Sequence, residues 1–421
     1  MEQSLWRNRN YLTLMSAQLI SSLGDWLSMI AIFTMIGMKW EASPLEVSFT
    51  MLSLVVPMAL FGPFAGIVSD KFPRKALMIT SDLVRAVLIT GLAFADTIGM
   101  VYLFLFAIGC FSAVFIPSKN GKLKEIVPER HLKSAMSVTS AIDSGTKIAG
   151  PLLSGLLVTL FPVSIVFFID SATFLLSAFL LVFLRGDRIV NKETTNPSTS
   201  IKEDWKEGFH FMKEQVFLLS GLIIIGSGLL ILQLADSQFI VLIRQLADAS
   251  PDLFGYLITA SGIGMLTTGI ILARKTDYNA FVLMIAGMGG LGVSFSILGW
   301  FTHIDLVYPV IWMSVLGFAA GFTSSLGFIP FQASVQLTTP SHLTGRVFGV
   351  VNSVTTTATI AGPLAGGIMA TFFGVIPLFI GTGVLLVLLS VTFYINRRKL
   401  QDTEQERQIT GKNGARTFLN P

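Results

Sequence analysis

Five carboxyl groups and two bases stand within long apolar stretches of this chain: Asp25, Asp82, Asp143, Asp170 and Asp236, with Arg85 and Lys147. A charged side chain near the centre of a bilayer costs about 2.5 to 3.5 kcal/mol on insertion scales, so each needs a partner, a proton or a water-filled cavity. Asp25 has no basic residue at helical spacing to hold it ionised, and withdrawal from water favours the protonated form of a carboxyl group. It is therefore the first candidate for a group that takes up and releases a proton or holds a cation; the alternative is a packing role, accepting hydrogen bonds from a neighbouring helix. Trp26, one residue on and about 100° around the helix, can border the same space. Asp143 and Lys147 are four apart and Asp82 and Arg85 three apart, so each pair shares a helix face, acid first. A buried pair is costly to break by losing one member. Asp82 with Arg85 reads as a structural staple, and Asp143 with Lys147 as a coupling element or a second staple. Asp170 either receives a proton or pairs with Lys147 across helices. Asp236 is the counterpart of Asp25 at an offset of 211 residues, near the outer end of its span.

The elements that must position these groups are membrane helices. Of 421 residues 52% are hydrophobic and 13% charged, and the mean hydropathy is +0.72. About a quarter of a soluble domain is charged, so a soluble globular protein is excluded. Apolar stretches of about 18 residues or more number twelve: Tyr11 to Met38, Ser48 to Ser69, Ala76 to Ala95, Met100 to Ser118, Ser134 to Phe161, Val163 to Leu184, Phe217 to Ile243, Leu253 to Ala273, Ala280 to Phe301, Leu306 to Leu337, Val347 to Phe373 and Ile376 to Ile395. The first follows Trp6-Arg7-Asn8-Arg9 without the short core and cleavage site of a signal peptide, and reads as a retained span. With both termini inside, 25 of the 29 Lys and Arg fall on the inner side, leaving Lys39, Arg85, Lys147 and Arg244. The opposite topology inverts that bias, so both termini are expected in the cytoplasm.

The longest polar segment, Arg185 to Glu214, divides the spans six and six. Its first part has linker composition, and Ile201, Trp205, Phe209 and Met212 then recur at helical spacing, as in an amphipathic helix on the inner leaflet. The expected organisation is a six-helix bundle over 1–184, a cytoplasmic linker over 185–216, a second six-helix bundle over 217–396 and a cytoplasmic tail over 397–421. The halves repeat one another. Phe115-Ile116-Pro117 returns as Phe328-Ile329-Pro330, Gly150-Pro151-Leu152 as Gly362-Pro363-Leu364, Pro128 as Pro340 and His131-Leu132 as His342-Leu343, at offsets of 211 to 213.

Gly66-Ile67-Val68-Ser69-Asp70-Lys71-Phe72-Pro73-Arg74-Lys75 resembles the signature G-x-x-x-D-[RK]-x-G-[RK]-[RK] of the major facilitator superfamily, with Pro73 in place of a Gly. Gly150-Pro151-Leu152-Leu153-Ser154-Gly155 is similar to the antiporter motif G-P-x-x-G-G, and Gly362-Pro363-Leu364-Ala365-Gly366-Gly367 repeats it. Ser22-Leu23-Gly24-Asp25-Trp26 and Ile169-Asp170-Ser171-Ala172-Thr173-Phe174 further resemble the drug:proton antiporter branch that includes macrolide-efflux and enterobactin-exporter proteins. Lys119, after Pro117-Ser118, departs from that branch and looks more like the lysophospholipid transporters of the same superfamily.

The resemblance implies an all-α fold of twelve transmembrane helices in two pseudo-symmetric bundles, with the substrate site near the midplane between them. It implies a secondary active transporter working by alternating access, with proton-coupled efflux of amphipathic, drug-like or macrolide-like compounds as the first expectation and a lysophospholipid or siderophore transporter as the alternative. The first and seventh spans, with Asp25 and Asp236, line the cavity in this superfamily. At the inner end Asp70 is expected to accept hydrogen bonds from the start of the eleventh span in the outward-open state, while Lys71, Arg74 and Lys75 face the phosphate surface. Gly150, Pro151, Gly155, Gly362 and Pro363 let helices approach closely and bend. The partners implied are a small amphipathic substrate, protons and the bilayer, with no nucleic acid and a monomeric chain. No cofactor or metal is expected, since Cys110 is the one cysteine and the four histidines are scattered. The sequence has no G-x-x-x-x-G-K-[ST] loop for ATP and no G-x-S-x-G elbow, so neither a primary pump nor an enzyme is expected.

Overall fold

The computed structural model describes residues 5–185, 201–275, 278–340 and 343–417. Apolar runs become helices here because a backbone in lipid must satisfy its N–H and C=O groups within its own segment. In chain order these are α1 (Arg9–Thr34, prolonged by a π turn, Met35–Lys39), α2 (Pro44–Lys71), α3 (Arg74–Leu92), α4 (Ile98–Ile126), α5 (Glu129–Leu160) and α6 (Val163–Val182). Then follow α7 (Ile201–Glu214), α8 (Val216–Asp236), the short α9 (Phe239–Ile243), α10 (Pro251–Arg274), α11 (Ala280–His303), α12 (Pro309–Thr338), α13 (Thr344–Phe373) and α14 (Val375–Thr417). Local chemistry sets their starts. Ser43 and Glu46 form a reciprocal cap ahead of α2, whose first residue is Pro44, and Asn8, Thr97 and Asn279 accept from the first turns of α1, α4 and α11. Gly374, at φ +89°, makes the tight turn between α13 and α14, where a side chain would be strained.

Twelve long helices, α1–α6, α8 and α10–α14, take the places of the twelve expected spans. Among the described residues ten are apolar enough to cross a membrane by length and composition. The other two, α3 and α5, carry Asp82 with Arg85 and Asp143 with Lys147, polar groups that belong to the interior of the bundle. Helix ends shift by several residues, as where α4 runs on to Ile126, and two differences are larger. The seventh span breaks at Ser237-Gln238, so Asp236 ends α8 instead of lying inside a continuous helix, and the last helix runs on to Thr417. The amphipathic segment forms α7, with Met212 buried and Trp205 stacked on Phe209 at 5.2 Å.

The repeat in sequence is a repeat in packing. In the first half α2 lies on α4, and α3 on α4 and α6; in the second α10 lies on α12, and α11 on α12 and α14. Across the halves α5 packs on α10 and α2 on α13. Among the described residues, side-chain hydrogen bonds join the two halves at one end. At the end away from Arg9, Gln238 Nε2 donates to Pro44 O and Ser48 Oγ at 3.0 and 2.9 Å, and Arg244 Nη1 donates to Gly37 O and Ala42 O at 3.1 and 2.8 Å. At the Arg9 end Gly62 and Gly66 of α2 and Gly345 and Gly349 of α13 have open space where a side chain would be. Among the described residues the halves are thus bonded at one end and open at the other, the splayed end.

Candidate functional site

The splayed end leads into a cavity of about 800 Å³. It is walled by α1, α2, α4 and α5, with Arg85 of α3, Asp170 of α6 and Asn352 of α13 completing it. Of the residues singled out in the sequence it brings together Asp25, Trp26, Arg85, Asp143, Lys147 and Asp170. Asp236 does not line it. Most of the wall comes from the first half, so the site is less evenly shared between the halves than the repeat suggests.

At its centre is Arg85, whose side chain is only 3% exposed. Its guanidinium is hydrogen-bonded to the fully buried Asp82 and lies over the rings of Phe115 and Phe174 at 4.8 and 4.3 Å. Ser177 Oγ donates to the other oxygen of Asp82 at 2.6 Å. The Asp82–Arg85 pair is thus present within α3, and Ser177 extends it to a second helix, α6. The same guanidinium also reaches Asp25 Oδ1 at 3.6 Å, an ion pair between α3 and α1 that helical spacing within one segment does not reveal. Asp25 keeps half of its side chain open to the cavity, 51%. It therefore has a basic neighbour, contrary to the expectation from its own helix, but one already bound by Asp82.

Asp170 does not pair with Lys147. It is fully buried against α1, hydrogen-bonded by Ser28 Oγ and by its own-helix Thr173 Oγ1 at 3.2 Å. Gly24 makes this approach possible, because a Cβ there would collide with the Asp170 and Thr173 side chains. Nor do Asp143 and Lys147 pair with each other. Asp143 Oδ1 accepts from Gln18 Nε2 of α1 at 2.7 Å, and both Asp143 and Lys147 are exposed to the cavity, where water makes an ion pair worth little. Asp236 is exposed at the end of α8. Gln18 and Ser28 went unnoticed in the sequence, although Gln18, Ser21, Asp25 and Ser28 recur every three or four residues and mark one polar stripe of α1. The two phenylalanines that flank Arg85 stand in segments the sequence marks, Phe115 in the internal repeat and Phe174 after Asp170, but nothing there placed them against the arginine.

The two glycine motifs act through close packing. A Cβ at Gly150 would collide with the Trp26 ring, and one at Gly155 would stand 2.6 Å from the Gly255 carbonyl of α10. Gly362 and Gly366 bring α13 against Leu230 and Leu234 of α8, with Pro363 buried between them. Pro151 lies within α5, and its side chain is outside the described residues.

The basic cluster after α2 needs correction. Arg74 bonds Asp70 at 3.1 Å and Glu125 of α4 at 2.9 Å, and Lys75 donates to the Val182 and Leu184 carbonyls at 2.6 and 2.7 Å. Those carbonyls are left unpaired at the end of α6, and a cation there is favoured by the helix dipole. Of the three bases expected on the phosphate surface, two are thus tied into the bundle, while Lys71 is exposed. Gly66 faces open space, and Asp70 bonds within its own segment in this splayed state.

Two packed halves, one bonded end and a charged cavity reached from the other define a membrane transporter rather than an enzyme. The chain belongs to the Major Facilitator Superfamily, whose family profile matches residues 14–248 and 227–419. It is 37% identical over 94% of its length, and 96% of the relative's, to an uncharacterized MFS-type transporter of Bacillus subtilis, YfiS. It is also 23% identical to macrolide efflux protein A of Streptococcus pyogenes, over 92% of this chain and 95% of that one. The multi-drug resistance efflux pump PmrA of Streptococcus pneumoniae is 24% identical over 78% of this chain and 80% of its own. Among solved structures, a bacterial homolog of the human lysosomal transporter Spinster superposes with a TM-score of 0.66 at 14% identity, covering 94% of this chain and 98% of that one. The nucleoside transporter NupG does so at 0.64 and 12%, over 92% and 98%. At such identities these two structures speak to fold alone. The protein is thus a multi-pass membrane transporter of small substrates.

Proposed function

We propose that this protein is a proton-coupled exporter of amphipathic compounds, seen in its inward-open state. The observation that carries the reading is Asp25. It is half open to the cavity and 3.6 Å from an arginine whose charge Asp82 already balances. A proton can therefore join or leave Asp25 without stranding a buried cation. Asp170, fully buried beside Ser28 one turn along α1, stands ready as a second carboxyl group in the same network. The apolar wall of Met29, Met51, Leu54 and Met58 suits the body of an amphiphile, because Met side chains adapt to varied shapes. The efflux relatives at 23% and 24% identity support the direction of transport.

The test is a panel of drugs, macrolides and siderophores in transport-deficient cells expressing the chain, with and without an uncoupler. Reduced accumulation of at least one compound, reversed by the uncoupler, is expected. Accumulation unaffected by collapsing the gradient would remove the proton from the mechanism.

The inward-open assignment rests on both termini being cytoplasmic, as the Lys and Arg bias implies. A cysteine placed at Lys206 of α7 in intact cells should resist a membrane-impermeant maleimide added outside and react after the membrane is opened. Labelling from outside would reverse the orientation.

A further inference from the structure

The charges lining the cavity do not balance once the partnered ones are set aside. Arg85 is held by Asp82 and Asp25, Asp170 by two hydroxyls and Asp143 by Gln18. Lys119, Lys124 and Lys147 remain, none with a hydrogen bond or ion pair among the described residues. Lys119 is the unusual one. It lies on α4 just past Pro117, it lines the cavity, and it is only 7% exposed. An ammonium withdrawn from water needs an anion or a hydrogen-bonded partner. One acid, Asp143, acts on it without a hydrogen bond or ion pair and already accepts from Gln18.

The internal repeat shows that the fold itself does not require this charge. At the offset of 213 that aligns Phe115-Ile116-Pro117 with Phe328-Ile329-Pro330, Lys119 corresponds to Gln332. The same turn of the same helix is thus built in the second half with a neutral amide, exposed where Lys119 is buried.

We propose that Lys119 is an anion subsite of the cavity, holding the acidic group of the transported compound while Lys124 and Lys147 add positive field and the methionine-rich wall takes its apolar body. The substrate class is then an amphiphile with a single acidic group, a carboxylate or a phosphate ester. This deepens the exporter reading and rests on the cavity being the transport site.

The experiment uses the purified full chain in neutral detergent with three fluorescent probes that share one body: dansylaminoundecanoic acid, its uncharged amide and the corresponding trimethylammonium compound. A charge-assisted hydrogen bond that the amide cannot make should let the acid bind roughly tenfold to a hundredfold more tightly, with the ammonium probe weakest. Lys119→Gln, which copies the second half of the protein, should erase the preference for the acid and leave the amide affinity in place, whereas Lys119→Arg should keep the preference. Competition separates the sources of such a group: displacement by lysophosphatidylglycerol identifies a membrane lipid, and displacement by a soluble aryl carboxylate identifies a solute, and either supports the subsite. Equal binding of acid and amide to the unaltered chain overturns the proposal without any variant. So does tightest binding of the ammonium probe, or an acid preference that survives Lys119→Gln. Binding is read with no gradient present, so loss of the exporter reading, seen as efflux insensitive to uncoupler, is a separate outcome.

Discussion

Asp25→Asn is expected to abolish uphill, uncoupler-sensitive efflux while substrate binding to the purified protein stays measurable. Asparagine matches aspartate in shape and can still accept from its surroundings, but it cannot exchange a proton. The neighbours of Asp25 tolerate the loss of charge, because Arg85 keeps Asp82 and its two aromatic faces. What is lost is the one carboxyl group, among the described residues, that is both open to the cavity and in an ion pair with Arg85. A carrier without it can still rock between states, so downhill exchange of labelled substrate across vesicles survives where net uphill movement does not. Asp25→Glu keeps the acid with a longer reach and retains part of the activity. Uphill efflux in Asp25→Asn at the level of the unaltered protein would move the proton to Asp143, Asp170 or Asp236, each open to the same substitution.

Arg85→Met is expected to be the most destabilising single change in the site. It leaves Asp82 fully buried with only the Ser177 hydroxyl as a partner, and removing one member of a buried pair costs about 3 to 5 kcal/mol. Thermal unfolding of the detergent-solubilised protein should show a clear drop. Replacing both members by apolar residues, Asp82→Leu with Arg85→Met, should recover most of the loss, since an apolar pair of similar volume is often as stable as the ionic one. Recovery of stability without recovery of transport would place the role of Arg85 at Asp25. An Arg85→Met protein as stable as the unaltered one would show that Asp82 finds another partner or a proton.

The sequence by itself determined the solvent, the spans and the doubling. Twelve apolar runs, steady offsets between the halves and two short motifs suffice for these because lipid allows a chain few other ways to satisfy its backbone. The sequence also picks out the charges inside the spans, since a charged residue in an apolar run stands out at once. It paired Asp82 with Arg85 correctly because both lie on one helix, three residues apart, and local spacing is all that a single sequence displays. The same logic failed for Asp143 and Lys147, which share a face of α5 yet look into water, where Gln18 from α1 is the better partner. It failed for Asp25 too, whose base comes from α3, and for Asp170, whose partner Ser28 comes from α1. Only the tertiary structure decided these, because which helices meet depends on where glycines such as Gly24 and Gly150 let them approach. Lys75 is the plainest case. As sequence it is one more positive charge at the inner surface; in the folded protein it closes the end of α6, because two unpaired carbonyls from residues more than a hundred positions away are brought to its ammonium.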